Sequence, residues 1–251
     1  MHRKTFWFLV MIWTLSACLR VSPPPGPSTP LAFPTASQTP TPIWFPPTPT
    51  FTPLPIQTAP PTPDWFETIN GVWLADSFTD PQAWGLIRST QGSISIQEGF
   101  LVLAAQPTFN LVTLRNAPTF DNFYLEVTAE LNLCRGEDLY GVLFRSEAKG
   151  AYRYGLDCKG QVRLDRVSGG LRYALYAPTL SGDAPPGAPG IVRLGIWAQN
   201  QTLRFFLNGR FQFEVRDGTL SRGQIGFFAR PAGDTPLTVR FANLVVYSLR
   251  P

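Results

Sequence analysis

Short runs in which apolar and polar residues alternate, separated by turn residues, make up the chain from residue 64 onward. Because successive side chains of a strand point to opposite faces, each run predicts a strand with one buried face. The runs that meet this description are Val72–Phe78, Ser93–Gln97, Phe100–Ala105, Asn110–Arg115, Phe123–Leu133, Leu139–Ser146, Tyr152–Cys158, Val162–Val167, Leu171–Tyr176, Ile191–Ala198, Leu203–Leu207, Phe211–Val215, Gln224–Ala229 and Leu237–Val246. No stretch keeps a helical period, so the pattern predicts an all-β sandwich.

Turn-forming dipeptides between these runs predict hairpins. Glycine and asparagine adopt the positive φ that two-residue hairpin turns require. Asn208-Gly209, between the runs at 203–207 and 211–215, is the clearest example. The others are Glu98-Gly99, Lys149-Gly150, Lys159-Gly160, Gly169-Gly170 and Asp217-Gly218.

The amino terminus follows the pattern of a secretion signal. A basic start precedes an apolar run, Phe6–Ala17, which has the length of a signal-peptide core and is too short to span a bilayer of about 30 Å. The run ends in Leu15-Ser16-Ala17-Cys18, which resembles a bacterial lipobox. The resemblance implies cleavage before Cys18, lipidation of its thiol and a membrane anchor. Residues 1–18 are therefore predicted to be a lipoprotein signal peptide; the alternative is an ordinary secretory signal with a chance cysteine.

Proline and threonine dominate residues 19–63, which contain sixteen of the 26 prolines of the chain and no charged residue after Arg20. Proline removes amide donors, so neither helix nor sheet can propagate there. Such a segment favours polyproline II, at about 3.1 Å per residue, and would reach on the order of 100 Å. We expect a disordered tether over 19–63 and a single folded domain over 64–251. The alternative is that the aromatic residues of the tether bind a partner.

Charge and histidine content exclude several classes of function for the folded region. Three of the 21 basic residues precede residue 64 and all 17 acidic residues lie from Asp64 onward, which leaves the region a net charge of +1. This balance gives no argument for a nucleic-acid partner. The single histidine is His2, so Ser-His-Asp catalysis, Cys-His catalysis and Cys/His zinc sites are excluded from the domain. No cofactor and no metal site are predicted.

The order of several short motifs is similar to that of concanavalin-type jelly-roll domains, the group that includes family 16 glycoside hydrolases, laminin-G modules and 3-keto-disaccharide hydrolases. The motifs are Asp76-Ser77-Phe78, Trp84, Gly92-Ser93-Ile94, Glu98-Gly99-Phe100-Leu101, Tyr140–Arg145, Tyr152-Arg153-Tyr154, Leu203–Gly209, Gly223–Gly226 and Val239–Val246. The resemblance covers nearly all of residues 72–248. It implies two curved antiparallel sheets, pairing of the first and last strands, and a concave face that often binds carbohydrate. Ala242 stands where such domains often carry an acidic residue, which removes one potential calcium ligand.

Two cysteines remain if Cys18 is lipidated, and an even number in an exported protein suggests a disulfide. Cys134 ends one predicted strand and Cys158 ends the second strand of the following hairpin, and such strand ends could lie at the separation a disulfide needs. A bridge between them is predicted; the alternative is two unrelated buried thiols.

The acidic residues argue against hydrolysis. A retaining glycosidase of the resembled kind needs two carboxylates about 5–5.5 Å apart. Glu126 and Glu130 share one strand face but would be roughly 13 Å apart at the rise of a strand. We therefore predict no enzyme, with an atypical glycosidase as an alternative.

Arginine and aspartate residues on the central hairpins are the best candidates for ligand binding. Alternation places Arg145, Arg153 and Asp157 on the face opposite to the apolar side chains. Arg163 and Asp165 lie on the same face if the next strand continues this alternation. Guanidinium and carboxylate groups could hydrogen-bond sugar hydroxyls. Tyr176 and Trp197 could stack on a pyranose ring. The alternatives are a ladder of cross-strand ion pairs and aromatic residues packed in the core.

These features predict an extracytoplasmic protein, held at the membrane by a lipid on Cys18, that binds polysaccharide or glycoconjugate without cleaving it. The alternative is a structural or protein-interaction module of the cell envelope, for example through the loop at 181–189.

Overall fold

Fifteen strands, each antiparallel to its neighbours, form the folded region in the computed structural model, which describes residues 65–185 and 187–250. They are β1 (Ile69–Asp76), β2 (Ile87–Ser89), β3 (Gly92–Gln97), β4 (Phe100–Ala105), β5 (Leu111–Leu114), β6 (Phe123–Leu133), β7 (Leu139–Glu147), β8 (Gly150–Asp157), β9 (Gln161–Ser168), β10 (Leu171–Leu180), β11 (Gly190–Gln199), β12 (Thr202–Leu207), β13 (Arg210–Arg216), β14 (Gln224–Arg230) and β15 (Leu237–Leu249). Two short 3-10 helices, Trp65–Thr68 and Pro81–Ala83, are the only helices in these residues. The all-β prediction is confirmed.

Predictions for the amino-terminal part of the chain lie outside the described residues. They are the signal peptide, the lipidated Cys18 and the tether over 19–63. In the part that is described, no helix is long and apolar enough to cross a bilayer.

The strands form two sheets. The nine-stranded sheet has the order β13-β12-β11-β6-β15-β4-β3-β2, and β1 pairs with the carboxyl-terminal half of β15. The six-stranded sheet has the order β10-β9-β8-β7-β14-β5. Pairing of β1 with β15 is the closure of first and last strands that the resemblance implies.

Aromatic side chains join the two sheets in the core. The ring of Phe227 on the six-stranded sheet stacks on Phe241 of the nine-stranded sheet, with centroids 4.2 Å apart. Tyr154 and Phe205 make the equivalent contact farther along the sandwich, at 4.8 Å. All four side chains are fully buried. Burial of such large apolar side chains is the main stabilising contribution in a sandwich.

The Asp-Ser-Phe motif at the end of β1 has a structural role. The carboxylate of Asp76 accepts hydrogen bonds from the backbone N–H of Phe78 (2.8 Å), from Trp84 Nε1 (3.2 Å) and from Arg115 Nε (2.9 Å). Phe78 adopts a φ of 53°, which ends the strand at Asp76 and turns the Phe78 ring into the core. The predicted strand therefore extends two residues too far.

One predicted hairpin turn is wrong and one strand was missed. Asn208 and Gly209 both have positive φ, 51° and 79°, and connect β12 to β13 as predicted. Asp217-Gly218 instead begins a crossover, since β13 and β14 lie in different sheets. The Asp217 carboxylate accepts hydrogen bonds from the backbone N–H of Thr219 (2.8 Å) and from Tyr152 Oη (2.5 Å). The strand at Ile87–Ser89 has three exposed residues and no alternation to predict it.

Cys134 and Cys158 form the predicted disulfide, with their Cα atoms 5.7 Å apart. The bridge links the loop after β6 to the end of β8, 24 residues later.

Loss of this disulfide is expected to destabilise the domain. Closing a loop of this length restricts the unfolded chain by about 3 kcal/mol in the chain-entropy description. The variant Cys134→Ala/Cys158→Ala should therefore show a free energy of unfolding about 2–4 kcal/mol lower than that of the oxidised protein in urea titrations followed by tryptophan fluorescence. Equal unfolding midpoints for variant and oxidised protein would contradict this expectation.

Candidate functional site

The outer face of the six-stranded sheet, which points away from the core, carries a small apolar cluster of its own. Leu139, Leu143 and Phe228 form this outer cluster, and each is at most 6% exposed. Two glycines, Gly141 and Gly155, lie side by side on β7 and β8 beneath it. A Cβ atom at Gly155 would lie 2.9 Å from Leu139 Cδ1 and 3.3 Å from Phe228 Cζ. The absence of a side chain at Gly155 therefore lets leucine and phenylalanine lie flat on the sheet.

An open groove of about 350 Å³ extends beside this cluster, between β5 and the turn that joins β9 to β10. Apolar side chains form most of its floor, and Arg153 is its one lining residue with a positive charge. The lining residues are Asn110, Leu111, Val112, Leu114, Leu143, Ser146, Glu147, Ala148, Gly150, Ala151, Arg153, Val167, Ser168, Gly169, Gly170, Phe228 and Ala229. A groove with an apolar floor and a few fixed polar groups has the character of a small-ligand site.

Asp165 is the centre of an arginine cluster next to the groove. Its carboxylate is completely buried and accepts hydrogen bonds from Arg153 Nη2 (3.0 Å), from Arg163 Nε and Nη2 (3.1 and 3.0 Å) and from Arg172 Nη1 (3.3 Å). Arg153 and Asp165 are direct cross-strand partners, and Arg163 is two residues from Asp165 on the same strand. One carboxylate therefore fixes the orientation of three guanidinium groups.

Arg153 also joins this cluster to the groove. Its guanidinium carbon lies 5.3 Å from the centroid of the Phe228 ring, within the range of a cation–π contact. Its Nε atom is buried and has no hydrogen-bond partner among the described residues.

Arg230, at the end of β14, is the fourth arginine on this face. It makes no side-chain hydrogen bond and no ion pair within the described part of the chain, and its buried Nε atom has no partner. Burial lowers the pKa of its guanidinium, and the neighbouring charges of Arg153 and Arg163 lower it further. The arginine nevertheless stays protonated because its ordinary pKa exceeds 12.

Asp157 lies on the same face and shapes the turn between β8 and β9. Its Oδ1 atom accepts hydrogen bonds from the backbone N–H groups of Lys159 (3.0 Å) and Gln161 (2.8 Å). Burial raises the pKa of Asp157, and these two hydrogen bonds partly oppose the effect.

The structure thus places four of the predicted ligand-binding residues on one face: Arg153, Asp157, Arg163 and Asp165. Their role in binding stays a prediction. The alternative interpretation, cross-strand ion pairs, describes Asp165 and its partners well, but it does not account for Arg230.

Arg145 does not belong to this face, contrary to the prediction. β7 contains a bulge between Phe144 and Glu147, and Arg145 adopts a φ of 47° there. The bulge turns its side chain inward, where it is fully buried and donates hydrogen bonds to the backbone carbonyls of three separate loops. The acceptors are Asp121 O (3.1 and 2.7 Å), Asn200 O (2.9 Å) and Leu220 O (3.1 Å). Arg145 is therefore a structural residue.

The two predicted stacking aromatics are also placed elsewhere. Tyr176 stacks face to face on Phe213 at 3.7 Å and closes the side of the sandwich where β10 and β13 are edge strands. Trp197 lies on the outer face of the nine-stranded sheet, 4% exposed, with its Nε1 donating to Thr68 Oγ1 at 3.2 Å. The guanidinium carbon of Arg204 lies 4.1 Å from its ring centroid. Neither aromatic side chain can stack on a ligand bound at the arginine cluster.

Both candidate catalytic acids lie on the nine-stranded sheet and are paired with arginine. Glu126 lies 3.5 Å from Arg193 and accepts a hydrogen bond from Tyr124 Oη at 2.6 Å. Glu130 accepts from Arg240 at 2.6 Å. The described residues contain no group of three or more His, Cys, Asp or Glu side chains arranged to hold a metal ion.

The loop at 181–189, considered above as a partner-binding arm, is held against β13. Ser181 Oγ donates to Gln212 Oε1 at 2.6 Å, and Gln212 Nε2 donates to Asp183 Oδ2 at 2.9 Å. The side chains of Ala184 and Ala188 pack against the core.

Sequence reasoning missed Arg172, Phe228 and Arg230. Alternation within β14 places Phe228 and Arg230 on the same face, but the pattern of one strand does not reveal that β14 lies between β5 and β7. Arg172 lies on the edge strand β10, whose residues are nearly all exposed and carry no burial pattern.

Comparison with known proteins relates the chain to others by fold. No protein-family profile matches it, and no curated protein is similar in sequence. Among solved structures, the carbohydrate-binding module CBM66 from Bacillus subtilis matches with a TM-score of 0.52 and 20% identity, over 66% of this chain and 96% of that one. A protein of unknown function with a galectin-like fold, also from Bacillus subtilis, matches with a TM-score of 0.54 and 16% identity, over 73% of this chain and 99% of that one.

The catalytic domain of an endo-1,3-beta-glucanase (laminarinase) from Thermotoga petrophila RKU-1 matches with a TM-score of 0.52 and 12% identity, over 73% of this chain and 100% of that one. At these identities the similarity establishes the architecture and not the activity. The folded region of the chain is a concanavalin-like jelly roll.

Proposed function

We propose that the domain binds a glycan on the outer face of the six-stranded sheet, across the groove and the adjacent arginine cluster. The observation that carries this proposal is the continuity of the two features through Arg153, which lines the groove and is held by Asp165. A sugar ring has apolar C–H surfaces and a rim of hydroxyl groups. The apolar floor of the groove can pack against the C–H surfaces, and the fixed guanidinium groups can donate hydrogen bonds to the hydroxyl groups.

The solved structures with this fold support the class of ligand. One is described as a carbohydrate-binding module and another as the catalytic domain of a glucanase. The fold therefore accommodates glycans in other proteins, and the groove supplies a place for one here.

The acids around the groove favour binding over cleavage. Glu147 is the one carboxylic acid among the groove-lining residues, all of which are described, whereas glycoside hydrolysis of the usual kind needs two. The neighbouring carboxylates are already engaged, Asp165 by three arginines and Asp157 by two backbone amides.

The amino terminus supports display of the domain outside the cell. A lipid on Cys18 would hold the chain at the membrane, and the proline-rich tether over 19–63 would carry the domain away from it. Mass spectrometry of the amino-terminal peptide from cells should find an acylated Cys18; an unmodified cysteine would contradict the anchor.

Filling the groove is expected to weaken glycan binding strongly without destabilising the domain. Ala151 lines the groove on β8, and Ala151→Phe would place a phenyl ring in its open volume. We expect an affinity for the bound polysaccharide at least about tenfold lower, as measured by affinity gel electrophoresis, because the ring displaces the sugar. The matched control is Val72→Phe, which enlarges a 61% exposed residue on the other sheet and should leave affinity unchanged.

If Ala151→Phe binds as well as the native protein, the groove is not the glycan site. If the native protein instead shortens the polysaccharide during incubation, the domain is a hydrolase and the non-catalytic proposal is wrong.

A further inference from the structure

The arginine cluster contains more positive charge than its carboxylate can neutralise. Asp165 accepts hydrogen bonds from Arg153, Arg163 and Arg172, and all three guanidinium groups depend on this one anion for an ion pair. Arg230 adds a fourth positive charge to the same face, where burial and the charges of Arg153 and Arg163 lower its pKa and the charges of Asp165 and Glu137 oppose the effect only in part. Partial burial of like charges is unfavourable unless an anion compensates for it.

The unused donors of Arg230 show where such an anion would be held. Its Nε atom is buried and lacks a partner among the described residues, and its terminal nitrogens, which are not buried, make no hydrogen bond to those residues either. Phe228 lies between Arg153 and Arg230 along β14, two residues before Arg230 and under the guanidinium of Arg153. An anion over this part of the sheet would face Arg230 directly and would meet a positive potential from Arg153 and Arg163.

We propose that this cluster binds the negatively charged group of an acidic polysaccharide, a carboxylate or a sulfate ester, with Arg230 as its principal contact. The inference rests on the proposed glycan-binding function and assigns the chemical class of the glycan. Arginine can bind either anion because its planar guanidinium group donates two parallel hydrogen bonds. The groove beside the cluster would hold the uncharged part of the same sugar chain. A ligand of this kind also accounts for an arginine that makes no ion pair in the described part of the chain.

The inference can be tested with polysaccharides that differ in charge. The purified full-length chain would be run in affinity gels that contain polygalacturonate, its fully methyl-esterified form, or chondroitin sulfate. We expect retention by polygalacturonate, by chondroitin sulfate or by both, and an affinity at least about tenfold lower for the methyl ester, because esterification removes the anion. Retention by polygalacturonate assigns the carboxylate, whereas retention by chondroitin sulfate alone, which carries carboxylate and sulfate groups, assigns the sulfate ester.

Arg230→Gln should reduce affinity for the retained acidic polysaccharide by about tenfold or more, the value of a lost charge-assisted contact. Its thermal midpoint should equal or exceed that of the native protein, since the variant loses a cation that makes no ion pair with the described residues. The matched control is Arg216→Gln on β13, which changes the net charge equally at a side chain that is 80% exposed on the opposite sheet. This control should bind as the native protein does.

Equal binding to polygalacturonate and its methyl ester, with no effect of Arg230→Gln, would overturn the acidic-glycan inference and leave the proposed glycan function standing. Failure to bind any of the three polysaccharides or neutral laminarin would overturn both. An equal loss of binding in Arg230→Gln and Arg216→Gln would show attraction to negative charge in general and would also overturn the inference.

Discussion

Replacing Arg145 with alanine is expected to lower the free energy of unfolding by about 3–5 kcal/mol, one of the two largest losses expected from a single substitution in this domain. The Arg145 side chain is fully buried and ties together the loops that contain Asp121, Asn200 and Leu220. Truncation would leave three backbone carbonyls without their donor and a cavity the size of the side chain. Urea titration followed by tryptophan fluorescence measures the loss directly.

Arg145→Lys should also be clearly destabilised, because a single ammonium group cannot reach carbonyls on three sides as the planar guanidinium does. Arg222→Ala is the control; this exposed arginine of the same end of the sandwich makes one hydrogen bond, to Thr119 Oγ1 at 3.0 Å. The substitution Arg222→Ala should lower the free energy of unfolding by less than about 1 kcal/mol. If the free energy of unfolding of Arg145→Ala lies within about 1 kcal/mol of the native value, the structural role assigned to this residue is wrong.

Asp165→Asn is the second substitution with a large expected effect, again about 3–5 kcal/mol of destabilisation. The change removes the carboxylate that pairs with Arg153, Arg163 and Arg172, the only one to do so among the described residues, and leaves their charges uncompensated on a partly buried surface. The amide keeps one acceptor oxygen, but its NH₂ group would face guanidinium donors. Urea titration again gives the free energy of unfolding.

The exposed pair Lys159–Glu137, at 2.8 Å, supplies the control for Asp165→Asn. Glu137→Gln breaks an ion pair of similar length that is open to solvent, and its unfolding midpoint should stay close to that of the native protein. If both variants unfold at the native midpoint, the arginine cluster is not organised by Asp165.

The Asp165 prediction also connects stability with binding. A polyanion that occupies the arginine cluster should raise the unfolding midpoint of Asp165→Asn more than that of the native protein, because it supplies the negative charge that the variant lacks.

Alternation along single strands was enough to predict the fold class and the inward faces of the central hairpins. Tyr140, Tyr152 and Tyr154 are buried in the core as their spacing indicates. The Asn208-Gly209 hairpin could also be predicted, because the conformation of a two-residue turn depends on the residues within it. Local pattern could not show which strands are neighbours, and Arg230 and Phe228 reach the cluster only because β14 pairs with β7.

Arg145 shows a second limit of reasoning from pattern. Its position between Phe144 and Ser146 predicts an outward side chain if the strand is regular. The bulge reverses this direction, and it packs against a residue far away in the sequence. The backbone of Gly223 approaches the bulge so closely that a Cβ atom there would lie 2.4 Å from the carbonyl carbon of Arg145. A contact of this kind depends on tertiary structure that no single strand reveals.

Trp197 and Tyr176 illustrate the same point for aromatic side chains. Their residue types suit sugar stacking, but the structure uses Trp197 to cover the nine-stranded sheet and Tyr176 to close the edge between the sheets. The candidate site that remains relies on guanidinium groups and on an apolar floor.

Amide chemical-shift mapping by NMR tests the central claim, the location of the glycan site, most directly. The labelled chain would be titrated with an oligosaccharide from the polysaccharide that it retains, trigalacturonate if the acidic-glycan inference holds. The account predicts shifts concentrated at Gly141, Arg153, Gly155, Phe228 and Gly170, on the outer face of the six-stranded sheet and the rim of its groove. Shifts confined to Thr128, Arg193 and their neighbours on the nine-stranded sheet, with none around Arg153, would contradict it.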